Sequence, residues 1–140
     1  MPLPFYIKQI ITKKDPRITS LKLNNLGLDD SDAEEIYNLI SVNNYIKCVD
    51  LSYNNLSADS MTFFAKLSNI TKLDISQNNI GDNGVFNYSK NYNKLDSKLK
   101  EINLQHNGLT QKCIDSLKEL IDCDILIDLS DKPNILKELK

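Results

Sequence analysis

The chain has 140 residues, 26% of them charged, with 17 Lys and Arg against 19 Asp and Glu for a formal net charge of −2. That length suits one domain with a buried core, and the near balance of charge argues against a general nucleic-acid binder, which carries a basic stripe. No apolar run can span a bilayer, Lys8 and Gln9 break the one at the N-terminus, and Cys48, Cys113 and Cys123 have neither disulfide-framework nor zinc-knuckle spacing.

Residues 1–17 read as an N-terminal cap, with Phe5, Ile7, Ile10 and Ile11 covering an open core and Pro2, Pro4 and Pro16 as punctuation. A spaced apolar pattern then begins at Ile18, Leu21, Leu23, Leu26 and Leu28. After it, Ser31 and Glu34 offer a capping box for a helix whose inner face is Ala33, Ile36, Leu39 and Ile40. The pattern returns at Ile46, Val49, Leu51, Asn54 and Leu56, and Ser57 starts a helix that buries Met61, Phe64, Ala65 and Leu67. It returns again at Ile70, Leu73, Ile75, Asn78 and Ile80. The stretch 87–98 predicts an irregular helix or partial loop, anchored only by Val85, Phe86, Tyr88, Tyr92 and Leu95. A fourth copy is Leu99, Ile102, Leu104, Asn107 and Leu109, and Thr110 starts a helix that buries Cys113, Ile114, Leu117, Leu120 and Ile121. A degenerate fifth strand follows, with Ile125 at its start, Ile127 and Leu129 at the two inward positions and Lys132 in the asparagine's place.

The recurring spacing is LxxLxLxxNxL, and its starts at 18, 46, 70 and 99 lie 28, 24 and 29 residues apart. On these residues the chain resembles the leucine-rich repeat family. A strand, a turn and a two-to-three-turn helix in each unit resemble its ribonuclease-inhibitor-like branch. The resemblance implies an α/β right-handed solenoid, a short horseshoe with parallel strands on the concave face and helices on the convex one. The whole chain, 1–140, is expected to be a single repeat domain, with an N-terminal cap over 1–17 and a C-terminal cap over 124–140. Asn54, Asn78 and Asn107 should form a ladder satisfying turn backbone. Leu26 cannot join it, so the first repeat should turn differently or bury that leucine beneath the cap.

Side chains alternate along a strand, so the residues between the leucines face outward. The fifth-position column then runs Lys22, Asp50, Asp74, Asn103, Asp128, and the third-position column includes Cys48, Lys72 and Glu101. Asp50 and Asp74 become neighbours at about 4.8 Å strand spacing. One reading is a solvated polar face in which Lys72 and Lys22 compensate the carboxylates. The other is an acidic groove for a basic partner segment. At the rim, Tyr53 offers aromatic area to a partner, and His106 is a solvated side chain unless a carboxylate or thiol stands near it.

No nucleophile–base pair, metal cluster or phosphate-binding loop assembles; the Gly81–Gly84 stretch is explained by turn chemistry. The expected function is a non-catalytic protein-interaction module without cofactor or metal, a monomer that binds neither nucleic acid nor membrane. Its candidate binding residues are Lys22, Asp50, Tyr53, Lys72, Asp74, Glu101, Asn103, His106 and Asp128. A composition heavy in asparagine, lysine and isoleucine agrees with an AT-rich genome and a bacterial effector delivered to a host cytosol; a cytoplasmic location is the other expectation. Two alternatives stand beside this. One is an activator of small GTPases, which would need Arg17, the chain's only arginine. The other is a self-associating repeat segment of a larger protein.

Overall fold

The computed structural model describes residues 3–120 and 122–130. The expectations for Pro2, Ile121, Lys132 and the 131–140 end of the C-terminal cap lie outside them. Alternation of apolar and polar residues produces five short strands: β1 (Ser20–Lys22), β2 (Cys48–Asp50), β3 (Lys72–Asp74), β4 (Glu101–Asn103) and β5 (Asp124–Leu126). They pair in parallel, in chain order, in one sheet. Leu21, Val49, Leu73, Ile102 and Ile125 are register partners, and all are buried. Leu23, Leu51, Ile75, Leu104 and Ile127 form a second buried row behind them. Each such side chain contributes about 1.5–3 kcal/mol by leaving water.

The asparagines fasten consecutive repeats rather than one another. Asn78 donates its amide N–H groups to the carbonyls of Leu51, Ile75 and Ser76, and its oxygen accepts from the Leu56 N–H at 2.9 Å. Asn54 and Asn107 repeat the pattern; Asn54 accepts from both Leu26 and Leu28 N–H at 3.0 Å. The turn before each asparagine position passes through a left-handed residue: Asn25, Tyr53, Gln77 and His106, with φ between 55° and 57°. Repeat 1 shares that left-handed residue, and Gly27 after Leu26 is left-handed too, at φ 66°, as Gly108 is in repeat 4. Asn54 of the next repeat supplies the hydrogen bond to the repeat 1 backbone, and Leu26 packs half-buried against the core.

Five helices occur among the described residues: α1 (Phe5–Lys13), α2 (Ala33–Ser41), α3 (Met61–Phe64), α4 (Gly81–Asn91) and α5 (Ile114–Leu117). In the cap, Leu3, Ile7 and Ile11 follow a four-residue spacing and are buried, which turns Phe5 outward at 73% exposure. Phe5 is not a cap residue of the core. The capping box at the start of the first convex segment is Asp29 with Asp32, not Ser31 with Glu34. The segment opens as a 3-10 turn over Asp30–Asp32, so its first free N–H groups arise two residues earlier.

Strand register gives repeat lengths of 28, 24, 29 and 23 residues, alternately long and short. The long repeats carry α2 and α4, of 9 and 11 residues. The short ones make only a 3-10 turn followed by the 4-residue α3 or α5, so the expected two-to-three-turn helix appears in alternate units. α4 also continues to Asn91, through part of the stretch expected to be irregular. Val85 and Tyr88 are buried on one side of it, and the Asn87 side chain donates to the Ala58 carbonyl at 3.0 Å. Phe86 and Leu95 are not anchors: they are 54% and 95% exposed.

Candidate functional site

The register of β5 changes the concave surface. Ile125 and Ile127, not Ile127 and Leu129, take the inward positions, because Ile102 is opposite Ile125 and Asn103 opposite Leu126. The fifth-position column is therefore Lys22, Asp50, Asp74, Asn103, Leu126. Asp128 moves two residues down, to the end of the seventh-position column, and Asp124 enters the third beside Glu101. Sequence reading missed Asp124 and set Leu126, read as outward-facing, in the third column instead of the fifth. Three apolar residues at alternate positions, Ile125, Ile127 and Leu129, permit two registers, and all three are in fact buried.

Asp50 and Asp74 stand directly opposite one another, as the sequence predicts. Each also has a local duty. Asp50 Oδ1 accepts from the Ser52 N–H at 2.9 Å and hydroxyl at 2.6 Å, and Asp74 Oδ1 accepts from the corresponding groups of Ser76 at 3.0 and 2.7 Å. Asn103 does the same for the Gln105 N–H at 3.0 Å. These are Asx turns that close the strand ends. One oxygen of each aspartate is thereby engaged and Oδ2 is left for other contacts. Lys72 Nζ forms its ion pair with Glu101 at 3.1 Å; that hydrogen bond and charge raise the lysine's pKa most, and the charge of Asp74 adds a smaller push in the same direction. Lys22, in the next strand, is exposed.

Between these strands lies an open cavity of about 290 Å³, lined by Ser20, Leu21, Lys22, Cys48, Val49, Asp50, Lys72 and Asp74. Cys48, half-buried, is a free thiol there, while Cys113 is buried among apolar side chains. The Cys123 thiol is pushed up to about 12, first by burial and then by the charges of Asp124 and Glu101, so it is a poor nucleophile.

At the rim, Tyr53 is 60% exposed on a left-handed backbone. His106 has the carboxylate that would make it more than a solvated side chain. Its Nδ1 is 3.2 Å from Asp128 Oδ2, and its backbone N–H donates to Asp128 Oδ1 at 2.7 Å. The pair depends on the corrected β5 register. Among the described residues no three His, Cys, Asp or Glu side chains come together as metal ligands.

Two leucine-rich repeat family models match the chain, one over residues 42–65 and again over 66–87, the other over 98–120. The chain carries leucine-rich repeats. No curated protein matches it. Among solved structures, this leucine-rich repeat chain is similar to Leiomodin-1 Actin-Binding Site 2. The TM-score is 0.74 at 15% identity, over 96% of this chain and 83% of that one. The likeness is one of fold: a short α/β leucine-rich repeat solenoid. No helix among the described residues is long and apolar enough to cross a membrane.

Proposed function

We propose that the chain is a non-catalytic protein-interaction module whose concave sheet receives a basic segment of a partner protein. The observation that carries this reading is the Asp50–Asp74 pair: two carboxylates opposed on adjacent strands, with the neighbouring lysine, Lys72, bonded instead to Glu101. Like charges so placed destabilise the free protein by a few tenths of a kcal/mol, and a cation from outside relieves that. Around them Glu101, Asn103, Tyr53, His106 and Asp128 supply a polar rim and one aromatic anchor. Actin is the first partner to assay, since the structural neighbour is named as an actin-binding site.

Charge reversal at both positions, Asp50→Lys with Asp74→Lys, should abolish partner binding measured by calorimetry on a partner recovered by affinity purification. Unchanged affinity would sink the acidic-groove reading. Cys48, Cys113 and Cys123 form no disulfide, which suits a reducing cytosol, and action as a bacterial effector inside a host cell rests on the asparagine-, lysine- and isoleucine-rich composition alone. Nothing favours the GTPase-activator reading. Arg17 lies ahead of β1 and holds Asp15 through two hydrogen bonds of 3.1 and 2.9 Å.

A further inference from the structure

The same cavity points beyond a simply basic partner. Resting on the concave-face reading above, we infer that the bound segment carries an acidic residue as well as a basic one: the acidic residue meets Lys22, and the basic residue meets Asp50 and Asp74. In register, these side chains give the fifth column a charge order of plus, minus, minus across β1, β2 and β3. All three line the cavity. The cavity's other cation, Lys72, is committed to Glu101. Lys22 is the cavity cation that takes no ion pair among the described residues, although Asp50 is its register partner. The aspartates keep Oδ2 beyond their bonds to Ser52 and Ser76.

A purely basic segment crossing this face would set a positive charge against Lys22, whereas a mixed segment pairs every charge it meets. The spacing follows from geometry. Adjacent strands are about 4.8 Å apart, so Lys22 and Asp74 are separated by about 10 Å across the sheet. An extended chain advances about 3.3 Å per residue and so covers that distance in about three positions. Its direction is across the strands, because the charge order runs from strand to strand. The partner is thus an extended peptide with Asp or Glu two or three positions from Lys or Arg.

The experiment pans a phage-displayed random peptide library on the immobilised full chain, in wild-type, Lys22→Glu and Asp50→Lys/Asp74→Lys forms. Wild type should enrich peptides pairing an acidic with a basic residue at that spacing. A synthetic peptide of the enriched sequence, followed by fluorescence anisotropy, should bind Lys22→Glu and Lys22→Ala about tenfold more weakly or worse. Enrichment of basic residues alone, or equal binding to the Lys22 variants, overturns the mixed-charge inference while leaving the acidic groove standing. Peptides that bind the double aspartate variant as well as wild type overturn both. Circular dichroism on each variant establishes that it is folded; all the substituted side chains lie outside the buried core.

Discussion

The long repeats, 1 and 3, and the short repeats, 2 and 4, solve the same problem in different ways. A long repeat has room for a helix of 9 or 11 residues that buries an apolar stripe. A short repeat has one α-helical turn, which is marginal by itself, and relies on its longer neighbour. Asp30 of repeat 1 accepts hydrogen bonds from the Ser57 N–H at 2.8 Å and from the Ser57 and Ser60 hydroxyls of repeat 2. Asp82 of repeat 3 accepts from the Thr110 N–H at 2.9 Å and hydroxyl at 2.5 Å in repeat 4. The same position of a long repeat thus holds the helix start of the short repeat that follows. At these joints a long repeat braces the short one after it, and repeat 3 also packs back on repeat 2, where Asn87 donates to the Ala58 carbonyl.

The comparison is broken most severely by emptying a short repeat. Phe64 is fully buried in α3. Phe64→Ala should cost about 3–5 kcal/mol in urea denaturation, against about 0.5–1.5 for Ile36→Val in the long α2. A loss under about 1 kcal/mol for Phe64→Ala would mean that the short repeat does not need its own core residue.

The joints come next. Asp30→Ala and Asp82→Ala should each lose about 1–3 kcal/mol, because the N–H and hydroxyl groups left behind are partly buried. Burial by itself would raise the Asp30 carboxyl's pKa; hydrogen bonds from Ser57 and Ser60 outweigh it and hold the pKa below the usual 3.8. A lowered folded value means that this stabilisation is complete above the ordinary carboxylate range and vanishes as pH falls through the folded value. Asp30→Ala should therefore remove part of the acid-side loss of stability, and denaturation midpoints measured from pH 6 downward would reveal it.

Gly84 tests a different contact, the packing of long repeat 3 against the short repeat 2 that precedes it. An added Cβ would stand 2.4 Å from Ile80 Cγ2 and 3.2 Å from the Ala58 Cα of the short repeat. Gly84→Ala should destabilise by about 1–3 kcal/mol through overpacking, offset by no more than about 1 kcal/mol of helix propensity. A stabilised variant would show that α4 can move away from repeat 2 freely.

The smallest effect sharpens the picture at the rim. Tyr53 occupies a left-handed conformation that asparagine adopts more readily, and Asn25 already stands at that position in repeat 1. Tyr53→Asn should stabilise the protein by up to about 1 kcal/mol while weakening partner binding. If stability rises and binding is untouched, the tyrosine is not an anchor.

Much of this was legible in the residues alone. The 2-residue alternation and the Leu/Asn spacing placed the first four strands, their inward rows, the asparagine fastenings and the opposed Asp50 and Asp74. Those features follow from the repeat itself, because parallel strands stacked in chain order set equivalent positions of successive repeats side by side. The last strand was not legible: Ile125, Ile127 and Leu129 satisfy two registers equally, and only packing against Ile102 chose between them, bringing Asp128 to His106 and Asp124 to Glu101. Spacing set Lys72 beside Glu101 in the third column without showing that the two bond, and it gave no sign that Asp30 and Asp82 serve the following repeat. Such pairings depend on which side chains meet between repeats, and a repeat pattern is silent about that until the chain has stacked.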